Sequence, residues 1–314
     1  VYIPPSVVER AIRSALSQVV LCDRQGNPAV RIEGYKPHFG TGSDCIFVID
    51  PYTGERRSAR LQDVGDFAKL VDALPHMDFA MGMSVANDAP ESIADILQFH
   101  AMVTNTVKPT VYAVNDPKNL RIIVEMCETI AGGAEAFRRQ PFAVLFGCSI
   151  SPLLYSAGPT ESLLYTAEKG LPYILAPTAS AGGTGPVTLP GSLVQINAEM
   201  LVGLVLAQLQ REGAPFIMFA GCPTPLDMRT TIASYASPEF LLFQIGLTQL
   251  QHYQGLPTFG TAGCSDSKAF DQQASLEGAM SMLISSLSGA NLIHDAGYVE
   301  YGSTSCFEQV VTMN

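Results

Sequence analysis

Three apolar runs in the last third of the chain decide the fold: Pro215-Phe-Ile-Met-Phe-Ala-Gly-Cys-Pro223, Leu256-Pro-Thr-Phe-Gly-Thr-Ala-Gly-Cys-Ser-Asp266 and Ala290-Asn-Leu-Ile-His-Asp-Ala-Gly-Tyr298. Each run follows a long helical pattern and ends in Gly together with reactive or polar residues. Continuous apolar runs of this length are typical of parallel strands that helices cover on both faces. Polar residues repeated at the ends of such strands predict one shared active site at the mouth of a parallel α/β barrel.

The same alternation extends towards the N-terminus. Helices are predicted at 61–74, 90–105, 117–131, 159–169, 191–211, 235–253 and 268–289. Strands are predicted between them at 78–85, 110–114, 142–147, 171–176, 215–220, 257–262 and 290–294. An eighth strand near 38–42 gives the count expected of an α/β (β/α)8 TIM barrel. A doubly wound open sheet is the alternative, and the absence of GxGxxG after the first strand disfavours it.

Residues 1–60 have a different pattern from the rest. A helix is predicted from Val7 to Gln18, followed by short β-rich pieces at 19–23, 29–33 and 45–50 that turn signals separate. The sequence therefore predicts a small β-rich N-terminal extension, 1–60, packed on a main barrel, 61–314, with one barrel strand drawn from 38–50. A helical pattern that opens at Ser305 and stops early leads us to expect that the natural chain continues.

Composition limits the classes of function. With 47% hydrophobic and 15% charged residues, the chain can bury a sizeable core, and disorder is not expected. The formal net charge of -11 argues against a nucleic-acid partner, since phosphates require a basic face. Seven Cys without a CxxC spacing predict a reduced, cytoplasmic protein. The longest apolar window, 193–209, contains Glu199 and several amides, so a membrane span is not expected.

Polar residues follow nearly every predicted strand. They are Gly42-Ser43-Asp44, Ala86-Asn87-Asp88, Asn115-Asp116, Gly147-Cys148-Ser149, Pro177-Thr178, Gly221-Cys222-Pro223, Gly263-Cys264-Ser265-Asp266 and His294-Asp295. Asp, Asn and Ser are also ordinary helix caps, and Cys often behaves as a small buried hydrophobe, so capping or packing is the alternative interpretation for many of them.

His294 and Asp295 are the predicted catalytic pair. Of the five His, only His294 falls at a predicted strand end that faces the mouth, where an imidazole can act as acid or base or bind a carboxylate. A His satisfied by a neighbouring carbonyl is the alternative. No HxH, HExxH or CxxC spacing predicts a zinc site, and no GxSxG elbow predicts a hydrolase.

Two further features concern ligands. The Gly-rich run 179–192 precedes a helix and is predicted to bind an anion through backbone N–H groups, to form a lid, or to meet a flat cofactor. Aromatic residues fall near several strand ends. Most are expected in the core, but two or three could enclose a quaternary ammonium by cation–π contact.

Four segments together resemble the trimethylamine methyltransferase superfamily. They are Tyr35-Lys-Pro-His-Phe-Gly-Thr-Gly-Ser-Asp44, Asp227-Met-Arg-Thr230 with Pro238-Glu-Phe240, Gly263-Cys-Ser-Asp-Ser-Lys268 with Asp271 and Gln272, and Ile293-His-Asp-Ala-Gly-Tyr298. The similarity runs over essentially the whole chain and is greatest to the members that lack pyrrolysine and demethylate glycine betaine or similar quaternary amines. In the trimethylamine enzymes a pyrrolysine lies at the mouth. Here every residue is standard, and the equivalent position is placed near Cys264.

The resemblance implies a TIM barrel that transfers a methyl group to a cobalt corrinoid carried by a separate protein, with no tightly bound cofactor and no metal ligand in this chain. His294 and Asp295 would be catalytic, and Gly182, Gly183 and Thr184 would allow close approach of the corrinoid. The substrate-binding residues would be Phe39, Asp44, Asn87, Phe146, Cys264, Asp266 and Tyr298.

Two other functions stay open from the sequence. One is a TIM-barrel lyase or aldolase that uses the Gly-rich loop for phosphate, although only Lys268 lies close to a strand end for a Schiff base. The other is a non-catalytic barrel that binds a quaternary amine. In each case we expect a small-molecule ligand, a homo-oligomer, and neither nucleic acid nor membrane as partner.

Overall fold

Eight parallel strands form a closed barrel at the centre of the computed structural model, which describes residues 2–114 and 116–314. In chain order the strands are β1 His38–Thr41, β2 Ala80–Met81, β3 Thr110–Ala113, β4 Ala143–Ser149, β5 Tyr173–Pro177, β6 Phe216–Phe219, β7 Thr258–Thr261 and β8 Leu292–Ala296. Neighbours in this order pair with each other, and β8 also pairs with β1. A parallel bridge between Gly40 and Phe79 joins β1 to the start of β2 and closes the ring. The predicted (β/α)8 barrel is confirmed, including its strand from 38–42.

A helix follows each strand. The helices are α1 Leu61–Ala73, α2 Ala94–Asn105, α3 Pro117–Ala131, α4 Ala157–Lys169, α5 Leu189–Gln210, α6 Pro238–Tyr253, α7 Gln272–Ser288 and α8 Phe307–Thr312. A 3₁₀ turn at Glu91–Ile93 and a short helix at Ala134–Arg139 add to this set. The predicted helix 117–131 matches its observed bounds.

Local chemistry explains these helix ends. Asp116 and Asp271 cap α3 and α7, because their side chains accept the backbone N–H groups of Lys118 and Ala274 at 2.8 and 2.9 Å. Gly132 and Gly289 end the same two helices in the left-handed conformation. Asp116, one of the polar residues predicted at the strand ends, is therefore a helix cap, as the alternative interpretation held.

Apart from β1, residues 2–60 pack around the barrel. The helix Pro5–Ser14 lies on α5, where Ser14 Oγ donates to Gln208 Oε1 at 3.1 Å. The hairpin of Val19–Cys22 and Pro28–Ile32 lies against the segments that enter β3 and β4. A second small sheet, Phe47–Ile49, Arg56–Ser58, Tyr298–Val299 and Thr304–Cys306, links the segments after β1 and β8. The division at residue 60 stays a prediction.

Among the described helices, α5 alone is long and apolar enough to cross a membrane. Half of its most apolar window is buried against the rest of the protein. It also carries the buried carboxylate of Glu199, which accepts hydrogen bonds from Ser151 Oγ at 2.6 Å and from the Leu153 backbone N–H at 3.1 Å. These contacts identify α5 as a helix of the barrel wall.

Candidate active site

A cavity of about 370 Å³ opens at the C-terminal ends of the strands. Among the described residues, every barrel strand except β2 contributes to its lining, either directly or through the loop that follows. The volume lies at the lower end of the range for small-molecule sites. Because the strand ends of a parallel barrel meet at one mouth, residues far apart in sequence converge here.

Two carboxyl groups, those of Asp44 and Asp295, line the cavity, and no Lys or Arg of the described chain does. Both residues have positive φ, 56° and 80°, a conformation that L-residues rarely adopt and that Asp tolerates better than most. Both acidic residues follow predicted strands, and both line the cavity. Their backbone strain is of the kind that clusters at functional sites.

The two carboxyl groups differ in their access to water. Asp44 is exposed to the open cavity, whereas Asp295 is only 3% exposed. Burial, with a smaller contribution from Asp44, raises the pKa of Asp295 to about 8. Enclosure by the mouth and the charge of Asp95 raise the pKa of Asp44 to about 7. Asp44 has the lower pKa of the two and is solvated by water in the cavity, so it carries most of the negative charge of the pair at neutral pH.

His294 is held as a neutral imidazole. Its Nδ1 lies 2.6 Å from the carbonyl oxygen of Gly260, which can only accept, so the proton is on Nδ1. Its ring stacks on Phe259 with centroids 4.2 Å apart. Burial lowers the pKa of His294 to about 4. While it is neutral, His294 has no N–H free for a substrate carboxylate, and the alternative of a His satisfied by a carbonyl fits this part of its geometry.

The second nitrogen of His294 faces Asp295. Nε2 lies 3.3 Å from Asp295 Oδ1, and no hydrogen-bond partner for that buried oxygen exists among residues 2–114 and 116–314. A lone pair facing a carboxylate is repulsive, so a proton between the two atoms is favoured. The raised pKa of Asp295 and the lowered pKa of His294 place that proton on Asp295 at neutral pH.

Aromatic rings form the walls of the cavity. Phe146 and Phe219 meet edge to face with centroids 6.1 Å apart, and Tyr235 and Tyr298 do so at 5.4 Å. Phe146 and Tyr298 were predicted at the site, whereas Tyr235 was missed. Tyr235 belongs to the long β6–α6 loop, and a loop of this length between a strand and a helix is itself a signal of function.

Asp266 holds that loop in place. Its carboxylate accepts the backbone N–H of Tyr235 at 2.9 Å, that of Ala236 at 3.4 Å and the hydroxyl of Ser234. Asp266 does not itself line the cavity. Its position makes it a residue that orients Tyr235.

Three other predicted substrate-binding residues do not line the cavity. Phe39 packs beside Ala290 and Ile293, because alternate residues of a strand face opposite sides and Phe39 faces the helices. Asn87 is exposed, and its amide donates to the carbonyls of Ile46 and Ala59. Cys264 is fully buried, with Sγ 3.5 Å from the carbonyl of Tyr235. Asn115, at the end of β3, lies outside the described residues.

The Gly-rich run forms a tight turn beside the cavity. The backbone N–H groups of Gly183, Thr184 and Gly185 all donate to the carbonyl of Ser180, and that of Gly182 donates to Gly185. No N–H of these four residues is left for an anion, which disfavours the phosphate-binding alternative. Gly182 has φ of 87°, so the turn itself requires glycine there.

The thiols of the cavity are protonated. Burial raises the pKa of Cys148 and Cys222 to about 12 each, and Cys222 Sγ lies 2.9 Å from the Pro177 carbonyl. Neither is a thiolate nucleophile at neutral pH. No group of three or more His, Cys, Asp or Glu that could hold a metal ion occurs in the part of the chain that the structure describes.

An acidic, aromatic cavity at the strand ends of a (β/α)8 barrel defines the class of this protein, and its charge and rings suit a small cation. The chain belongs to the trimethylamine methyltransferase family, whose model matches residues 1–313. The resemblance that the four segments carried is thus confirmed.

Two curated relatives come from Desulfitobacterium hafniense. Trimethylamine methyltransferase MttB of strain DCB-2 is 33% identical, over 100% of this chain and 63% of its own length. Glycine betaine methyltransferase of strain Y51 is 31% identical, over 99% of this chain and 65% of its own length. The chain thus spans a little under two thirds of the length of these relatives.

Solved structures agree on the fold. Dihydropteroate synthase of Yersinia pestis has a TM-score of 0.52 at 12% identity, covering 94% of this chain and 95% of its own. The dihydropteroate synthase of Coxiella burnetii, in complex with pteroic acid, has a TM-score of 0.51 at 12% identity and covers 94% of this chain and 97% of its own. At this identity the likeness concerns the barrel alone.

Proposed function

We propose that the chain forms the substrate barrel of a methyltransferase that moves a methyl group from a quaternary amine to a Co(I) corrinoid carried by a partner protein. The observation that carries the proposal is the mouth cavity, which Asp44, Asp295 and the rings of two Phe and two Tyr line and to which no Lys or Arg of the described chain contributes. Membership of the family and the names of both relatives support it. The name of one relative makes glycine betaine a compound to test, and the residues of the cavity decide whether it fits.

Binding is the first task of these residues. A quaternary ammonium cannot donate a hydrogen bond, so only charge and aromatic faces recognise it. Asp44, accessible in the cavity, supplies the charge, while Phe146, Phe219 and Tyr298 supply rings. Holding the cation in one orientation and displacing water lowers the barrier by positioning.

The chemistry requires little acid–base assistance. A Co(I) corrinoid supplies a strong nucleophile that accepts the methyl group, while the C–N electron pair leaves with a neutral tertiary amine. No proton is transferred in that step, so the neutral state of His294 is compatible with it. With its proton on Asp295, the His294–Asp295 pair forms an uncharged floor and leaves Asp44 as the main anion.

The rim of the cavity suits a protein partner. Leu153, Val187 and Met228, on the loops after three adjacent strands β4, β5 and β6, are 63%, 76% and 74% exposed. Ile150 and Leu154 extend the same apolar rim. Exposed apolar residues grouped around a site mark an interaction surface. Gly182, Gly183 and Thr184 lie on this side and remain our predicted contacts to the corrinoid. A cytoplasmic location and a homo-oligomer also remain predictions.

The test is methyl transfer to free cob(I)alamin. The purified chain is incubated under reducing, anaerobic conditions with quaternary amines in turn, and methylcobalamin is followed by its absorbance. We expect methylation with at least one of them, and a loss of roughly tenfold or more for Asp44→Asn, because a desolvated cation loses its counter-charge. Amine binding without any methylation would instead identify the binding-only barrel.

A further inference from the structure

We propose that the cavity takes a methylated ammonium ion whose remaining substituent is uncharged, such as choline or tetramethylammonium, and rejects one that carries a carboxylate, such as glycine betaine. Only the consequence for catalysis rests on the proposed function. The selectivity in binding is argued from the residues of the cavity alone.

A carboxylate tail needs strong donors. In proteins these are Arg, Lys, protonated His or several convergent backbone N–H groups. No Arg or Lys of residues 2–114 and 116–314 lines the cavity. His294 gives its one N–H to Gly260, and the N–H groups of the turn at 182–185 are used within it. A buried carboxylate would therefore lose its hydration without compensation.

The field in the cavity also has the wrong sign for a second anion. Asp44 follows β1 and Asp295 ends β8, and these two strands pair. The contact is close, since a Cβ at Gly42, two residues before Asp44, would come within 2.3 Å of Asp295 Oδ1. A carboxylate tail in a cavity of about 370 Å³ would lie close to Asp44, the main anion of the cavity, and to the acceptor oxygens of Asp295. Juxtaposed like charges disfavour binding.

The His294–Asp295 pair offers no donor to a carboxylate either. Asp295 Oδ1 lies 3.3 Å from His294 Nε2, and the proton that these two atoms share lies between them rather than pointing into the cavity. A cation requires no donor, whereas a carboxylate would add a third acceptor beside His294 Nε2 and Asp295.

A neutral polar tail has suitable partners. The hydroxyl groups of Ser43, Thr178, Ser180 and Thr224 all belong to lining residues. A hydroxyl group donates or accepts by rotation, so it can pair with the alcohol of choline. A tail of methyl groups alone would instead contact the rings of Phe146 and Phe219.

Calorimetric titration of the purified chain tests the inference without a corrinoid. Choline, tetramethylammonium and glycine betaine are compared at pH 8, with 3,3-dimethylbutanol as an uncharged isostere of choline. We expect choline to bind at least tenfold more tightly than glycine betaine and than the isostere. Asp44→Asn should weaken the binding of choline at least tenfold and reduce the difference in affinity between choline and glycine betaine. Tm measurements verify that the variant is folded.

The outcomes separate this inference from the proposed function. Glycine betaine that binds as tightly as choline, or no binding of any ammonium ion, overturns the inference. Faster methylation of cob(I)alamin from glycine betaine than from choline also overturns it while supporting the proposed function. Selective binding of choline without methylation of cob(I)alamin by any amine supports the inference and contradicts the proposed function.

Discussion

At the scale of single residues, the site depends on how Asp295 is ionised. The position of this carboxyl at a strand end follows from the sequence, because an apolar run that ends in His-Asp-Ala-Gly marks the strand and its exit. The charge state of Asp295 does not follow from the sequence, because it depends on burial and on the direction of the His294 lone pair. Burial and lone-pair direction are set only when β7 and β8 pair with each other.

Asp295→Asn should stabilise the protein increasingly as pH rises. The folded pKa is about 8 against an ordinary value of 3.8. The folded state therefore retains a proton that the unfolded chain has already lost, and wild-type stability falls as pH rises from about 4 to 8. The Asn amide removes that ionisation and can still donate to His294 Nε2.

Urea unfolding at pH 5 and pH 9 measures this effect. We expect the variant to gain on the order of 2 kcal/mol over wild type at pH 9 and much less at pH 5. A difference between the two proteins that is constant, or that shrinks towards pH 9, would show that the carboxyl ionises freely in the folded state.

At the scale of elements, the loop from β6 to α6 contains what the sequence did not predict. Strand and helix positions follow from periodicity, and β6 and β7 lie within their predicted ranges. A loop has no period, so Tyr235 could not be assigned to the cavity. The strand-end position of Asp266 predicts a wall residue of the cavity, yet its carboxylate accepts backbone N–H groups of the loop.

Asp266→Ala should weaken ammonium binding through Tyr235. Loss of the carboxylate leaves the N–H groups of Tyr235 and Ala236 without their acceptor, so the ring is no longer fixed against Tyr298. We expect a fall in affinity of roughly tenfold, about 1.4 kcal/mol, for Asp266→Ala and for Tyr235→Ala. Calorimetric titration with choline measures both.

The double variant distinguishes positioning from general damage. If Asp266 acts through Tyr235, combining the two changes should cost little more than either alone. Asp266→Asn, which keeps one acceptor oxygen, should recover part of the affinity. Additive losses in the double variant would assign Asp266 a separate role.

At the scale of the whole molecule, barrel closure depends on close backbone contact at the first strand. The count of helix-separated strands predicts a barrel, and the structure confirms it. The manner of closure depends on the approach of β1 to Phe79, which no periodicity encodes. Gly40 makes this possible, since a Cβ there would lie 2.6 Å from both the ring and the carbonyl oxygen of Phe79.

Gly40→Ala should therefore destabilise the fold by about 1–3 kcal/mol, the usual cost of overpacking a core. Gly82→Ala is the matched control, because a Cβ there would meet only the Tyr112 ring, at an ordinary 3.4 Å. Thermal unfolding should give a Tm several degrees lower for Gly40→Ala than for Gly82→Ala. Equal values for the two variants would mean that the β1–β2 junction can move apart at little cost.

The pairing of β1 with β8 has a consequence for biosynthesis. Asp44 is among the first cavity residues to leave the ribosome, and Asp295 is among the last. A nascent chain that ends before β8 lacks His294 and Asp295, so Asp44 is the one acidic residue of the described chain that lines its cavity, and the barrel stays open. The complete cavity can therefore form only after β8 has been translated.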